Sequence, residues 1–541
     1  MTAFRTLLTA SALALAMPAA AQSVDTPAGK LKGASADGIN SFKGIPYALP
    51  PVGGRRWQPP VPAPKWNGVR DATKFGAACI QPTAKGQSVY SPTTPLATSE
   101  DCLTLNVWAP ANAKNAPVFF WIHGGALVTG SSSEPTYDGQ KLAERGVIVV
   151  SINYRLGVLG WLAHPALSME STQKISGNYG LLDQVTALRW VHQNIAAFGG
   201  NAGNVTIAGE SAGGLSVLYL MSSPAARGLF HKAIAQSSYM IPMPEVKAAV
   251  HGFPSGEAVG QMLQAGLQAP DLAALRGMNP QTLTDTAAAL GFAPWGMVDN
   301  YVLPQQMVTA FDEGKQAKVP VLAGFNQGEI RSLMMLAPKP SATAADYEAA
   351  IRKNYGELAD AFLKLYPAAD YKESILKTTR DSLYGWTAER IARKQAAIGQ
   401  PAYLYLFDHG YPAMDDAGLH AFHASEIPYT FGAFNGVGPL WPKIPDTAEE
   451  HGLSDAMIGY WTSFATDGVP KAANAPDWPA FGTEHNYMHF AATAVPEANF
   501  MPGMFALNEE VMCRRKATGK TPWHWNVGLM SPPLPPKAAG C

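Results

Sequence analysis

One five-residue stretch restricts the architecture more than any other: Gly209-Glu210-Ser211-Ala212-Gly213. It stands between a short β-branched run at 205–208 and a helix-compatible segment at 212–221. A chain that passes from strand to helix through a single residue needs small neighbours, because the turn is tight and strained. Gly209 and Gly213 supply that room. Such a turn lifts the central hydroxyl above the sheet and sets it at a helix N-terminus, where free N–H groups favour developing negative charge. The same pattern also describes a small-residue turn that only packs helix on strand, so its surroundings must decide.

Apolar runs at 118–122, 147–153, 232–236, 319–325, 402–407 and 488–490 read as strands. Between them, Leu182, Val185, Leu188, Val191 and Ile195 share one face of a helix over 179–198. Strands alternating with helices predict an α/β architecture, with a mostly parallel central sheet and helices on both faces. Segments 240–318 and 341–400 read mainly helical and are expected as insertions over the sheet's C-terminal edge, where ligands bind in open α/β sheets. The Pro-rich stretch at 531–540 predicts an extended tail.

Residues 1–21 carry Arg5, an apolar run from Leu7 to Met17 and the small residues Ala19, Ala20 and Ala21. That is the layout of a secretory signal peptide cleaved near Ala21, and the run falls short of the ~20 residues a membrane span needs. Residues 22–541 are expected to form one domain in an exported, periplasmic or secreted protein, with no integral membrane segment in the mature chain. A net charge of −1 gives no footprint for nucleic acid. The four cysteines, Cys79, Cys102, Cys513 and Cys541, form no C-x-x-C pair, so disulfides are expected rather than a metal site. His420 and His423 are spaced as metal ligands can be, but no ligand cluster accompanies them. No cofactor is called for, and composition carries no signal of oligomeric state.

Upstream of the serine, His123-Gly124-Gly125-Ala126 follows the 118–122 run directly. Attack on an ester creates a negatively charged oxygen, and preorganised backbone N–H groups stabilise it. Glycines after a strand let the backbone approach that oxygen. The expected donors are the N–H groups of Gly125, Ala126 and Ala212.

Longer motifs accompany these two. They are Gly44-Ile45-Pro46-Tyr47-Ala48, Ser99-Glu100-Asp101-Cys102-Leu103, Asn153-Tyr154-Arg155-Leu156-Gly157 and Gly177-Asn178-Tyr179-Gly180-Leu181-Leu182-Asp183-Gln184. With them the chain resembles the type-B carboxylesterases, the cholinesterase-like and para-nitrobenzyl esterase-like branch of the α/β-hydrolase fold. The resemblance runs through nearly all of the mature chain. It implies a serine–glutamate–histidine triad: Ser211, Glu329 in Gly324-Phe325-Asn326-Gln327-Gly328-Glu329, and His423 in His423-Ala424-Ser425-Glu426. Residue types alone do not choose these two, since His409 and His420 lie close by. Serine needs a base to take its proton, and the base needs an acid to fix its tautomer.

The resemblance further implies a Cys79–Cys102 disulfide, a Cys513–Cys541 disulfide, and buried pairs Arg155–Asp183 and Arg56–Glu100. It also makes Glu210 a structural or tuning neighbour of the nucleophile. The chain departs from the family at Ala126-Leu127, expected to narrow or reshape the acyl side, and at Asn201. The Cys79–Cys102 loop holds Tyr90 but no tryptophan, which argues against choline esters, whose cation would sit on such a ring. The expected reaction is hydrolysis of small-molecule carboxylic esters through an acyl-enzyme. A specialised ester such as a fumonisin-like polyester, a long-chain lipid or an amide stands as the variant reading, and Arg331 is a candidate partner for an acidic acyl group. A non-catalytic binding protein on the same fold is the rival class; such proteins usually lose the serine or the histidine, and both are present.

Overall fold

The computed structural model describes residues 20–524 and 528–541. Residues 1–19, which carry most of the expected export signal, lie outside them.

The apolar runs build one 13-stranded mixed sheet. Ala20–Thr26, Gly29–Ala36, Ile39–Pro46 and Thr104–Pro110 form an antiparallel flank. A parallel block follows in the spatial order Ile148–Ile152, Ala116–Ile122, Gly200–Glu210, Lys232–Gln236, Val321–Asn326, Ala402–Phe407 and Tyr487–Phe490. Ala494–Glu497 closes the far edge antiparallel, and Val69–Asp71 pairs in parallel with Gly29–Ala36 off the main path. Parallel strands are covered on both faces and therefore read as continuous apolar runs rather than alternating ones. Ile148–Ile152 is buried throughout.

Alternate side chains of the Ala116–Ile122 strand serve two cores. Val118, Phe120 and Ile122 pack with the helices Tyr179–Asn194, Ala212–Ser222 and Trp386–Ala397. Phe119 and Trp121 pack on the other face with Met457, Trp461 and Phe464 of the Ala448–Asp467 helix. Expected and observed elements agree closely at this centre. One difference is the nucleophile strand, which starts at Gly200 rather than at 205, with an irregular register between Gly200 and Val205. Asn201, the departure noted above, accepts the Gly203 N–H at 2.8 Å and closes that turn by itself.

The two insertions are helical as expected, and the second contains a π-turn, Asp381–Gly385, between Tyr371–Arg380 and Trp386–Ala397. The Pro-rich tail forms neither helix nor strand, but it is docked: Leu534 donates its N–H to the Asn354 carbonyl at 2.8 Å and packs beside Tyr347 and Phe362. Both expected disulfides are present, Cys79–Cys102 and Cys513–Cys541. No helix among the described residues is long and apolar enough to cross a membrane.

Two ion pairs fasten the region under the sheet edge. Arg155 grips Asp183 through Nε at 2.8 Å and Nη2 at 2.7 Å, both side chains buried. Arg56 makes a two-pronged pair with Glu100 and spends its remaining donors on the carbonyls of Arg276 and Met278, at 3.0 and 2.9 Å, in the first insertion. Breaking a buried pair leaves an uncompensated charge. We therefore expect Asp183→Asn to lower unfolding free energy by about 3–5 kcal/mol in urea titration. Arg145→Ala, which breaks an exposed pair with Asp455, is expected to leave the midpoint in place.

Candidate active site

The parallel strands end on one edge, and the turns that follow them carry the candidate residues. Ser211 alone joins the Gly200–Glu210 strand to the Ala212–Ser222 helix, with φ 56° and ψ −121°. The close approach expected of its glycine neighbours is real. A Cβ on Gly213 would stand 2.0 Å from the Ile122 carbonyl oxygen, and one on Gly209 would stand 2.5 Å from Gly213 backbone atoms. The Ser211 N–H is held by the Gln236 carbonyl at 3.0 Å.

The His-Gly-Gly loop lies against this turn, since a Cβ on Gly124 would meet the Glu210 carbonyl at 2.9 Å and Ser211 Cβ at 3.2 Å. Gly125, Ala126 and Leu127 all take positive φ, at 101°, 56° and 60°. The N–H groups of Gly125 and Ala126 have no protein acceptor among the described residues. Ala212 opens its helix, where N–H groups lack an acceptor one turn back. These are the three donors expected from sequence. His123 beneath them is a packing group: it is buried, stacks on Tyr154 at 4.6 Å, and burial pushes its pKa down to about 4. Of Ala126 and Leu127, expected to narrow or reshape the acyl side, Leu127 is buried in the main core and Ala126 is exposed.

Glu329 starts a short 3-10 turn after the Val321–Asn326 strand. Its Oε1 accepts the Ser237 hydroxyl at 2.6 Å and the Asn326 N–H at 2.8 Å, and its Oε2 bonds Nδ1 of His423. The rival histidines are engaged elsewhere, His409 with Glu450 at 2.8 Å and His420 with Asp415 and Asp408 at 2.7 and 3.0 Å. Arg331 is not free to meet an acidic acyl group either, because it pairs with Glu373 at 2.9 Å.

The other imidazole nitrogen, Nε2, lies 3.1 Å from Glu210 Oε1, close but poorly aligned for a hydrogen bond. Burial by itself would lower the His423 pKa, but the Glu210 and Glu329 carboxyls outweigh it and raise it to about 9. Burial in turn pushes Glu210 up to about 8, against the pull of His423. Glu426, at the end of the His423 motif, is a further buried carboxyl, pushed up by burial to about 7. Its oxygens accept Gln236 Nε2 at 3.0 Å and Asn326 Nδ2 at 2.6 Å. Sequence reading assigned no role to Glu426 or Ser237. Nor did it place Tyr384, whose ring sits on the π-turn 5.4 Å from the imidazole. Irregular helix turns of this kind concentrate at functional sites.

A mostly parallel sheet, a serine on a strand-to-helix turn, and a histidine–carboxylate pair on the same edge define a class, the α/β-hydrolase enzymes. Comparison with known proteins agrees. Residues 20–502 match the profile described as "Carboxylesterase family". The chain is 36% identical over 506 residues to the fumonisin B1 esterase of Sphingopyxis macrogoltabida, covering 88% of this chain and 89% of that one. It is 37% identical over 476 residues to the para-nitrobenzyl esterase of Bacillus subtilis, covering 86% and 93%. Among solved structures, a PNB esterase superposes with a TM-score of 0.77 at 34% identity, covering 90% of this chain and 99% of that one. The chain belongs to the carboxylesterase family and is a carboxylic ester hydrolase with the α/β-hydrolase fold.

The charge arrangement gives a signed prediction. A base must be neutral to accept a proton, and the Glu210 carboxylate stabilises the protonated imidazole. In Glu210→Gln, the rise of kcat/KM with pH is expected to move to lower pH by ~1 unit. A midpoint that stays in place, or moves up, contradicts the electrostatic assignment.

Proposed function

We propose that the enzyme hydrolyses carboxylic esters through an acyl intermediate on Ser211, with His423 as general base and acid and Glu329 as its orienting carboxylate. The observation that carries this is the His423 Nδ1–Glu329 pair, braced from behind by Ser237 and Asn326, on the sheet edge that presents the Ser211 turn. With Nδ1 committed to Glu329, Nε2 is the nitrogen left to exchange protons with the substrate side.

The Ser211 Oγ attacks the ester carbonyl carbon while Nε2 takes its proton. The carbonyl oxygen becomes an anion held by the N–H groups of Gly125, Ala126 and Ala212. Collapse breaks the bond to the alcohol, which leaves with the proton from Nε2. Water then attacks the acyl carbon, giving a proton to Nε2. Collapse releases the carboxylic acid and returns the proton to Ser211. Glu329 holds the imidazole in one tautomer.

Neutral esters fit this site better than anionic ones. Buried carboxyls of Glu210, Glu329 and Glu426 surround the base, and the nearby Arg331 is paired with Glu373. A fumonisin-like polyester, after the activity in one relative's name, is the second reading. We further propose that residues 22–541 work as one exported domain after removal of residues 1–21. The two disulfides support this, since such bonds persist in oxidising compartments.

Ser211→Ala is expected to lower p-nitrophenyl acetate turnover by roughly 10⁶-fold with circular dichroism unchanged. A fluorophosphonate probe is expected to label Ser211 in the wild type; retained turnover in the variant, or a label mapped elsewhere, defeats the triad. Across matched esters, kcat/KM is expected to be about tenfold higher for a neutral acyl group than for one bearing a carboxylate, equivalent to about 1.4 kcal/mol. The reverse order supports the polyester reading.

A further inference from the structure

His423 sits in a loop between Ala421 and Ala424, and both of these non-glycine residues take left-handed backbone, with φ 44° and 67°. Such conformations persist only where surrounding contacts hold them. Here three successive carbonyls are each held by a separate donor. The Gly328 N–H reaches the Ala421 carbonyl at 2.9 Å, and Asn326 Nδ2 reaches the Phe422 carbonyl at 2.8 Å. Both donors belong to the segment that carries Glu329. The third comes from elsewhere: Tyr90, in the loop closed by Cys79–Cys102, donates its hydroxyl to the His423 carbonyl at 3.0 Å.

The Tyr90 hydroxyl also contacts the Ser332 hydroxyl at 2.6 Å. Because it donates to His423, it accepts from Ser332, which lies just beyond the Glu329 turn. One phenol oxygen thus joins the backbone of the base to the segment of the acid. The ring stands edge-on to the His423 imidazole at 6.4 Å and to Trp441 at 6.4 Å, and keeps 37% of its residue surface open. Burial of the hydroxyl lifts its pKa well above 10, so it stays a donor at any working pH.

The same loop also reaches the other half of the site. Gln81 accepts the Gly130 N–H at 3.1 Å and donates to the Gly130 carbonyl at 3.2 Å. Gly130 in turn packs against His123 and the Gly124 carbonyl, at the root of the His-Gly-Gly loop.

We propose that Tyr90 is a positioning residue for His423, acting through the backbone carbonyl, and that the Cys79–Cys102 loop thereby sets the base relative to the oxyanion donors. This rests on the Ser211–Glu329–His423 reading above. A displacement of the base by a fraction of an ångström lowers the chemical rate without changing how substrate binds.

The test is Tyr90→Phe in the full chain, which keeps the ring and removes only the hydroxyl. We expect kcat for p-nitrophenyl acetate to fall about tenfold. KM stays within twofold, and near-UV circular dichroism is unchanged. Labelling of Ser211 by a fluorophosphonate slows by a similar factor, and the pH midpoint of kcat moves, since the imidazole is no longer held at one distance from its carboxylates. A kcat within twofold of wild type with an unmoved pH midpoint overturns the proposal. So does a raised KM with kcat retained, which makes the hydroxyl a substrate contact instead. Failure of the underlying triad reads differently: wild-type labelling then maps away from Ser211, whatever Tyr90→Phe does.

Discussion

At the end of the Ala116–Ile122 strand, the carbonyl of Ile122 faces Gly213 so closely that an added Cβ would stand 2.0 Å from it. Gly209 faces Gly213 across the turn, and Gly124 faces the Glu210 carbonyl. Three stretches of backbone therefore meet with no side chain between them. Because they meet, the Ser211 turn can take a positive φ, the His-Gly-Gly loop can lie beside it, and the first N–H groups of the Ala212–Ser222 helix can point to the same small volume. Any larger residue at these positions would separate the nucleophile from its donors before it touched the chemistry.

The second constraint is charge. Three buried carboxyl groups, Glu210, Glu329 and Glu426, cluster near one imidazole. Buried charge is costly unless it is paired or hydrogen-bonded, so the three cannot be equivalent. Their bonds separate them. Glu329 accepts the Ser237 hydroxyl, a backbone N–H and the imidazole. Glu426 is held by two side-chain amides. Glu210 Oε1 has only the close, misaligned approach of His423 Nε2. Glu210 is thus the carboxyl of the three least satisfied by hydrogen bonds.

Much of this was legible in the sequence, and what was not has a common cause. Continuous β-branched runs marked the parallel strands because both faces are buried, and the glycines of the two loops marked the backbone contacts. Glu329 and His423 were reached only through the family resemblance, since no periodicity distinguishes them from other glutamates and histidines. Leu127 is buried in the main core while its neighbour Ala126, with the same left-handed backbone, is exposed, a difference set by tertiary packing that the sequence pattern does not carry. Arg331 looked like a free cation until the fold set Glu373 of the second insertion against it. Tyr90 lies 333 positions from the carbonyl it binds, and Ser237 lies 92 from Glu329. Contacts of that range follow from which loops share a sheet edge, which short-range patterns do not encode.

The same edge shows how the two halves of the candidate site are joined. Ser211 and the oxyanion donors belong to one rigid body, built from adjacent strands and the helix between them. Glu329 and His423 belong to another, because the carbonyls that fix the histidine loop are held by donors of the acid's own segment. Moving acid and base together would keep their mutual bond and still misplace Nε2 against the serine. The Lys232–Gln236 strand between the two bodies ties them, since the Gln236 carbonyl holds the Ser211 N–H, Gln236 Nε2 reaches Glu426 and the next residue, Ser237, reaches Glu329. The Cys79–Cys102 loop also grips both, with Gln81 on Gly130 at one end and Tyr90 on His423 at the other. Its closure by a disulfide limits how far the two grips can drift apart.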